Sequence, residues 1–228
     1  MLATDKDEMS GNTQTEKFKD ALRSDSPSYG VSLTNEAREQ LAKYYELLNR
    51  WNARVHLVAP CSAQEFARRH VLESLMALKH LPEASTVAEV GAGAGLPIIP
   101  CLIARPDLRA ILIEAAQKKA VFLREALAHI EASARASVIN QRFEAVPTPA
   151  VEVVTCRAIE RFEEMLRNLL QWAPSGSTLL LFGAQRLEKK IESLGFSWSK
   201  ELMPNSQGRF LYVVEKQSAD SKQQSVRS

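Results

Sequence analysis

Gly91, Gly93 and Gly95 stand at alternate positions in VAEVGAGAGLPIIP, directly after one apolar run and just before another. A glycine-rich turn between a strand and a helix lets backbone N–H groups and the positive helix end approach a ligand, because no Cβ stands in the way. The next apolar run, ILIEAAQKK, closes on a charge. Glu114 therefore falls about 20 residues beyond the glycines, where an acid can accept hydrogen bonds from ribose hydroxyls. Each feature alone has an ordinary structural reading: a tight turn without a ligand, or a surface acid ending a strand. Together they point to a nucleoside-containing cofactor, and two share this layout, a nicotinamide dinucleotide and S-adenosylmethionine. Dinucleotide sites read G-x-G-x-x-G so that a pyrophosphate can sit on the helix, whereas GAGAGLP places Leu96 and Pro97 where the third glycine would fall. Apolar bulk there suits adenosine and a methionine chain better than a diphosphate.

The elements that must position these residues follow from the apolar periods. Runs of β-forming residues in TVAEVGA, LRAILIEA, ASVINQRF, VEVVTCRA and STLLLFG alternate with helix-length stretches LPIIPCLIARP, QKKAVFLREALAHI, RFEEMLRNLLQWAP and AQRLEKKIESLG. This alternation predicts an α/β fold, a mostly parallel sheet covered on both faces. FSWSKELM and RFLYVVEK, with no helix between them, form an antiparallel closing pair at one edge. Upstream, Leu41, Tyr44, Tyr45, Leu48 and Trp51 share one helical face, with Thr34 or Asn35 as N-cap. In SAQEFARRHVLESLMALKHL, Phe66, His70, Val71, Leu75 and Leu78 share another, so His70 reads as a partly buried, hydrogen-bonded side chain outside the catalytic set. The expected organisation is a disordered tail over 1–30, a helical extension over 31–84, the cofactor domain over 85–216 and a second disordered tail over 217–228.

Composition narrows the setting. The 228 residues are 45% hydrophobic and 25% charged, enough for one sizeable core. Three well-separated cysteines, Cys61, Cys101 and Cys156, suggest neither a disulfide framework nor a zinc site. The charged first residues and the absence of a membrane-length apolar run lead us to expect a soluble, cytoplasmic protein with neither membrane nor metal among its partners. Net charge is only +2, but Arg50, Arg54, Arg68 and Arg69 crowd one window against the single acid Glu65, with His56 and His70 beside them. Such a cluster ordinarily forms a solvated helix face, and only a position near a site would change that reading.

The segments LLNRWNARVHLVAP, RRHVLES, VAEVGAGAGLPIIPCLIARPD, LIEAAQKKAVFLREAL, QRFEAVP and VVTCRA, in this order, resemble the GidB/RsmG family, bacterial enzymes that methylate N7 of a guanine in 16S ribosomal RNA. The resemblance covers about residues 33 to 215. It implies a class I, Rossmann-like methyltransferase fold, S-adenosyl-L-methionine as cofactor, and 16S rRNA or the small ribosomal subunit as partner. Carried over by position, cofactor contacts fall on Gly91 and Leu96, on Phe143 and Glu144, and on Arg157; Glu114 stands where the family commonly has aspartate. An apolar Phe143 could cover an adenine face while Glu144 addresses its edge. Arg157, ending a strand, points into the cofactor crevice or pairs with a nearby carboxylate. The chain departs from the family at His56, Leu57 and Val58 (usually asparagine-leucine-threonine), Glu73 (aspartate), Ile98 (glycine) and Phe182 (lysine).

The combined reading is an S-adenosylmethionine-dependent rRNA (guanine-N7)-methyltransferase whose site holds Gly91, Gly93, Gly95, Leu96, Glu114, Phe143, Glu144 and Arg157, with Arg50, Arg54, Arg68 and Arg69 toward RNA. No catalytic acid–base residue is expected, because guanine N7 carries a lone pair and no proton. The alternatives are a cofactor-binding RNA module without turnover and an NAD-dependent oxidoreductase.

Overall fold

The computed structural model describes residues 4–157 and 162–216. Seven strands form one sheet: β1 (Thr86–Val90), β2 (Arg109–Ile113), β3 (Ala136–Ile139), β4 (Val153–Arg157), β5 (Thr178–Ala184), β6 (Ser197–Leu202) and β7 (Arg209–Glu215). Their order is β3-β2-β1-β4-β5-β7-β6. β1 to β5 run parallel, and β7 lies antiparallel between β5 and β6. The five parallel strands and the closing pair fall where the apolar runs predict them. Order reverses at β1, which is where a doubly wound sheet opens a crevice at its carboxyl edge.

Side chains alternate across this sheet. Val87, Val153, Leu180, Phe182, Leu211 and Val213 face one core, and Ala88, Val154, Leu179, Leu181, Tyr212 and Val214 face the other. The second face is covered by α7 (Phe162–Trp172) and α8 (Leu187–Glu192), through Leu166, Leu169, Leu187 and Ile191. Against the first pack α5 (Ile98–Ala104), α6 (Gln117–His129) and the amino-terminal helices.

Those helices are α1 (Thr4–Asp25), α2 (Asn35–Val55) and α3 (Ala63–Phe66). From α3 the chain continues through a π-helical segment (Ala67–Leu72), α4 (Glu73–Leu75) and a 3-10 turn (Met76–His80). Thr34 caps α2 by accepting the Ala37 N–H at 3.1 Å. Among the described residues no helix is long and apolar enough to cross a membrane.

Among the described residues, 4–30 correct the expectation of a disordered tail over 1–30. Phe18, Ala21 and Leu22 are buried, Phe18 stacks on Tyr45 with ring centroids 4.5 Å apart, and Thr15 donates to Glu46 at 2.8 Å. Three apolar residues make a stripe only one turn long, too short to register as a period, but α2 and α3 supply a groove that buries it. Residues 217–228, expected as the other tail, lie outside the described residues.

Candidate active site

A cavity of about 760 Å³ opens at the carboxyl edge of β1, β2 and β4, in the size range of small-molecule sites. Its floor is the glycine turn. The Gly91 and Ala92 N–H groups both donate to the Ile113 carbonyl, at 2.9 and 3.1 Å, which ties the turn to β2. Gly91, Gly93 and Gly95 have φ of 69°, 51° and 80°, left-handed values that favour glycine. A Cβ on Gly93 would meet only the Gly91 carbonyl oxygen at 3.7 Å, so this glycine keeps the wall open. Gly95 is different and corrects the sequence reading: it does not line the cavity, and a Cβ there would sit 2.3 Å from Ile99 Cδ1. Gly95 makes room for the side chains of α5 and α6, through Ile99 and Leu123.

Glu114 is buried at the end of β2 and lines the cavity. One carboxylate oxygen accepts the Gly93 N–H at 2.8 Å and the other the Ala116 N–H at 2.8 Å. A carboxylate has about four lone-pair sites, so each oxygen retains one for a ligand hydroxyl. Phe143, buried in the turn after β3, is held edge-on against Trp172 with centroids 5.7 Å apart, and Trp172 Nε1–H donates to the Val146 carbonyl at 2.7 Å. Glu144 lies exposed beside it on the cavity rim, its carboxylate 3.9 Å from Arg142 Nε. Leu96 completes the apolar floor, followed by a cis peptide to Pro97.

The amino end of α5 does not face this cavity. Its Ile98 N–H donates at 2.9 Å to Glu89, a wholly buried acid near the carboxyl end of β1. Burial pushes the Glu89 carboxyl up to about 8. The expectation that a positive helix end stands beside the ligand is therefore corrected: Glu89 answers that end from inside the fold. Sequence reasoning missed Glu89, although an acid inside TVAEV is a visible signal. It also read Tyr44 only as core, whereas the Tyr44 hydroxyl donates to the Ala94 carbonyl at 2.5 Å and anchors the turn to α2. Lys119 and Arg142, missed as well, add positive charge to the cavity wall.

Arg157 combines both of its sequence readings. It lines the cavity, and strand alternation turns it toward the helical extension. There its guanidinium donates to Ser74 Oγ at 3.1 Å, to the Arg69 carbonyl and to Glu73 at 3.1 Å. Glu73, 1% exposed, also accepts two bonds from Arg209 at 2.8 and 3.0 Å. Both carboxylate oxygens of a buried charge are thus satisfied, as its desolvation requires. Phe182 lies 5.4 Å beneath the Arg157 guanidinium, so a cation–π contact occupies the position where the resemblance leads us to expect lysine. His56 closes α2 at φ 50°, a left-handed value that histidine, like the usual asparagine, adopts more readily than most residues.

The remaining candidates separate from the cavity. Arg50 and Arg54 are exposed on α2, Arg68 pairs with Asp25 at 2.5 Å and Arg69 with Glu65 at 2.6 Å; none of the four lines the cavity. His70 does line it, half-buried, with its ring 5.0 Å from Phe66. Contrary to expectation, neither ring nitrogen has a hydrogen-bond partner among the described residues. Burial, then the nearby Arg157 and Arg69 charges, push it down to about 4.

A parallel sheet with this order, an antiparallel β7 inserted beside β5, and a glycine-turn cavity closed by an acid define a class I methyltransferase fold. A crystal structure of a predicted O-methyltransferase from Agrobacterium tumefaciens shares it, with a TM-score of 0.53 and 22% identity over 65% of this chain and 80% of that one. The sequence is more specific: residues 37–217 match the GidB family, rRNA small subunit methyltransferase G, and the chain belongs to that family. Ribosomal RNA small subunit methyltransferase G of Gluconobacter oxydans is 33% identical over 77% of this chain and 90% of its own length. The Xanthomonas campestris protein of the same name is 38% identical over 73% and 78%.

Proposed function

We propose that this protein transfers a methyl group from S-adenosylmethionine to N7 of a guanine in 16S rRNA. The observation that carries the reading is the pairing, in one cavity, of an open glycine wall at Gly93 with the buried Glu114 carboxylate and the fixed Phe143 ring. Glu114 would hold the ribose hydroxyls, Phe143 would cover the adenine and Glu144 would address its edge. Gly91, Gly93 and Leu96 would pass beneath the methionine chain, with Arg157 closing the β4 side. Because Glu89 takes the first amide of α5 and the Gly95 carbonyl the second, the helix that follows the glycine turn offers no free amino end for a pyrophosphate, which favours this cofactor over a dinucleotide.

Bound S-adenosylmethionine supplies an electrophilic methyl on a sulfonium sulfur. N7 of a neutral guanine attacks with an in-plane lone pair and has no proton to shed, so the chain's task is alignment. That task matches a cavity whose histidine is too weakly basic, at about 4, to hold a proton near neutrality and whose arginines, Arg142 and Arg157, cannot act as bases because they are cations. Arg50, Arg54, Arg68 and Arg69 would track RNA phosphates around the mouth, and we place the protein in the cytoplasm. Mapping N7-methylguanosine in ribosomal RNA from cells with and without the gene tests the reading. One modified 16S guanine should disappear, and an unchanged map would overturn the assignment.

A further inference from the structure

We propose that His70 contacts the target purine, its imidazole hydrogen-bonding the base from the β4 side of the cavity. The inference rests on the methyltransferase reading above and adds to it a residue on the substrate side.

Four observations converge. The helix that carries His70 is widened where it passes the cavity: the Glu73 N–H donates to the Arg68 carbonyl five residues back, a π-helical turn of the kind found at functional sites. His70 then lines the cavity together with Leu57, Val58 and Ala59, residues of the loop between α2 and α3. Its polar neighbours are already bonded, Arg157 to Ser74 and Glu73, Glu73 to Arg209, and Arg69 to Glu65, whereas the His70 ring is not. On the wall of an open cavity, an imidazole that no described side chain hydrogen-bonds is free to meet a ligand.

Position selects the partner. Along the carboxyl edge the sheet order sets Glu114 and the post-β3 turn with Phe143 on one side of the glycine turn, and Arg157 on the other. An adenosine held by Glu114 and Phe143 directs the methionine half toward β4, so the methyl acceptor must enter beside Arg157 and His70. A base taken out of its stack needs new hydrogen bonds and stacking partners. Neutral imidazole offers one N–H donor and one acceptor nitrogen, and guanine displays both kinds of group on its edge. Phe66 behind the ring fixes its direction.

The test uses the full chain with His70→Ala and His70→Gln, and small subunits from cells lacking the modification. Single-turnover methyl transfer at saturating cofactor should fall about tenfold or more in His70→Ala, the cost of an unmet polar contact, and recover in part in His70→Gln. Cofactor affinity by calorimetry should stay within about twofold, and the melting temperature should hold. Wild-type transfer in His70→Ala would overturn the inference alone. So would a rate loss that runs parallel to lost cofactor affinity or lost melting temperature without rescue by glutamine. Absence of transfer by the unmodified protein would instead remove the methyltransferase reading, and the inference with it.

Discussion

Substituting Gly95 by alanine puts a carbon 2.3 Å from Ile99 Cδ1, 2.7 Å from Ile99 Cγ1 and 3.3 Å from Leu123 Cδ2, at a backbone φ of 80°. The left-handed conformation costs a non-glycine residue about 1–2 kcal/mol and forced overpacking about 1–3 kcal/mol. The sum, about 2–5 kcal/mol, corresponds in a chain of this size to a melting temperature lower by roughly 5–20 °C. Cofactor affinity, measured by calorimetry well below that transition, should change by less than about threefold, because Gly95 does not line the cavity. Gly93→Ala should behave in the opposite way. Its Cβ meets only the Gly91 oxygen at 3.7 Å, so the stability cost is the backbone term of about 1–2 kcal/mol, while the methyl stands on the wall the cofactor approaches. Affinity should fall tenfold or more, and Gly93→Asp, which adds a charge beside Glu114, should abolish binding. Equal losses of stability and affinity in Gly93→Ala and Gly95→Ala would refute the division of labour between the two glycines.

Single-turnover methyl transfer across about pH 6 to 8 should be nearly flat, since His70 is already neutral there and N7 needs no base; a tenfold climb per pH unit, lost in His70→Ala, would contradict both statements. In chemical denaturation, stability should be independent of His70 titration above its unfolded value near 6.5 and should fall by up to about 3 kcal/mol as pH drops toward about 4, because the unfolded state takes the proton first, and His70→Gln should flatten that limb. RNA affinity should fall steeply with salt, and an Arg68→Ala, Arg69→Ala double variant should reduce the log–log slope by roughly 0.7 to 1 per lost phosphate contact. That variant should lose only about 1 kcal/mol or less per exposed ion pair in unfolding experiments, and an unchanged slope would return the pair to a solvated face. Phe18→Ala should destabilise the protein by about 3–5 kcal/mol, because the ring is fully buried between Tyr45 and Phe66; a change below about 1 kcal/mol would show that α1 is not part of the core.

Much of the parallel layer was legible because its strands are short apolar runs bounded by turn residues, and the glycine turn with Glu114 announces its cofactor class through types and spacing alone. What escaped depends on contacts distant in sequence. Arg157 reads equally as ligand contact or ion pair until the fold brings Glu73 and Ser74 beside it, 84 and 83 positions away. Gly95 looks like its two neighbours, and only the positions of Ile99 and Leu123 show that it serves packing. The π turn before Glu73 carries no glycine or proline to mark it. The burial of α1 was invisible for the same reason, since its groove is made by α2 and α3. Glu89 is the one omission that composition could have prevented, an acid set between Ala88 and Val90 in an otherwise apolar run.

The central claim is methyl transfer to guanine N7 without proton abstraction. Small subunits from cells lacking the gene, incubated with the purified protein and S-adenosylmethionine carrying a deuterated methyl group, test it by nucleoside mass spectrometry of the 16S rRNA. The account predicts the labelled methyl in N7-methylguanosine at one position, formed at the same rate at pH 6 and pH 8. Label in any other nucleoside, or no label at all, would contradict it.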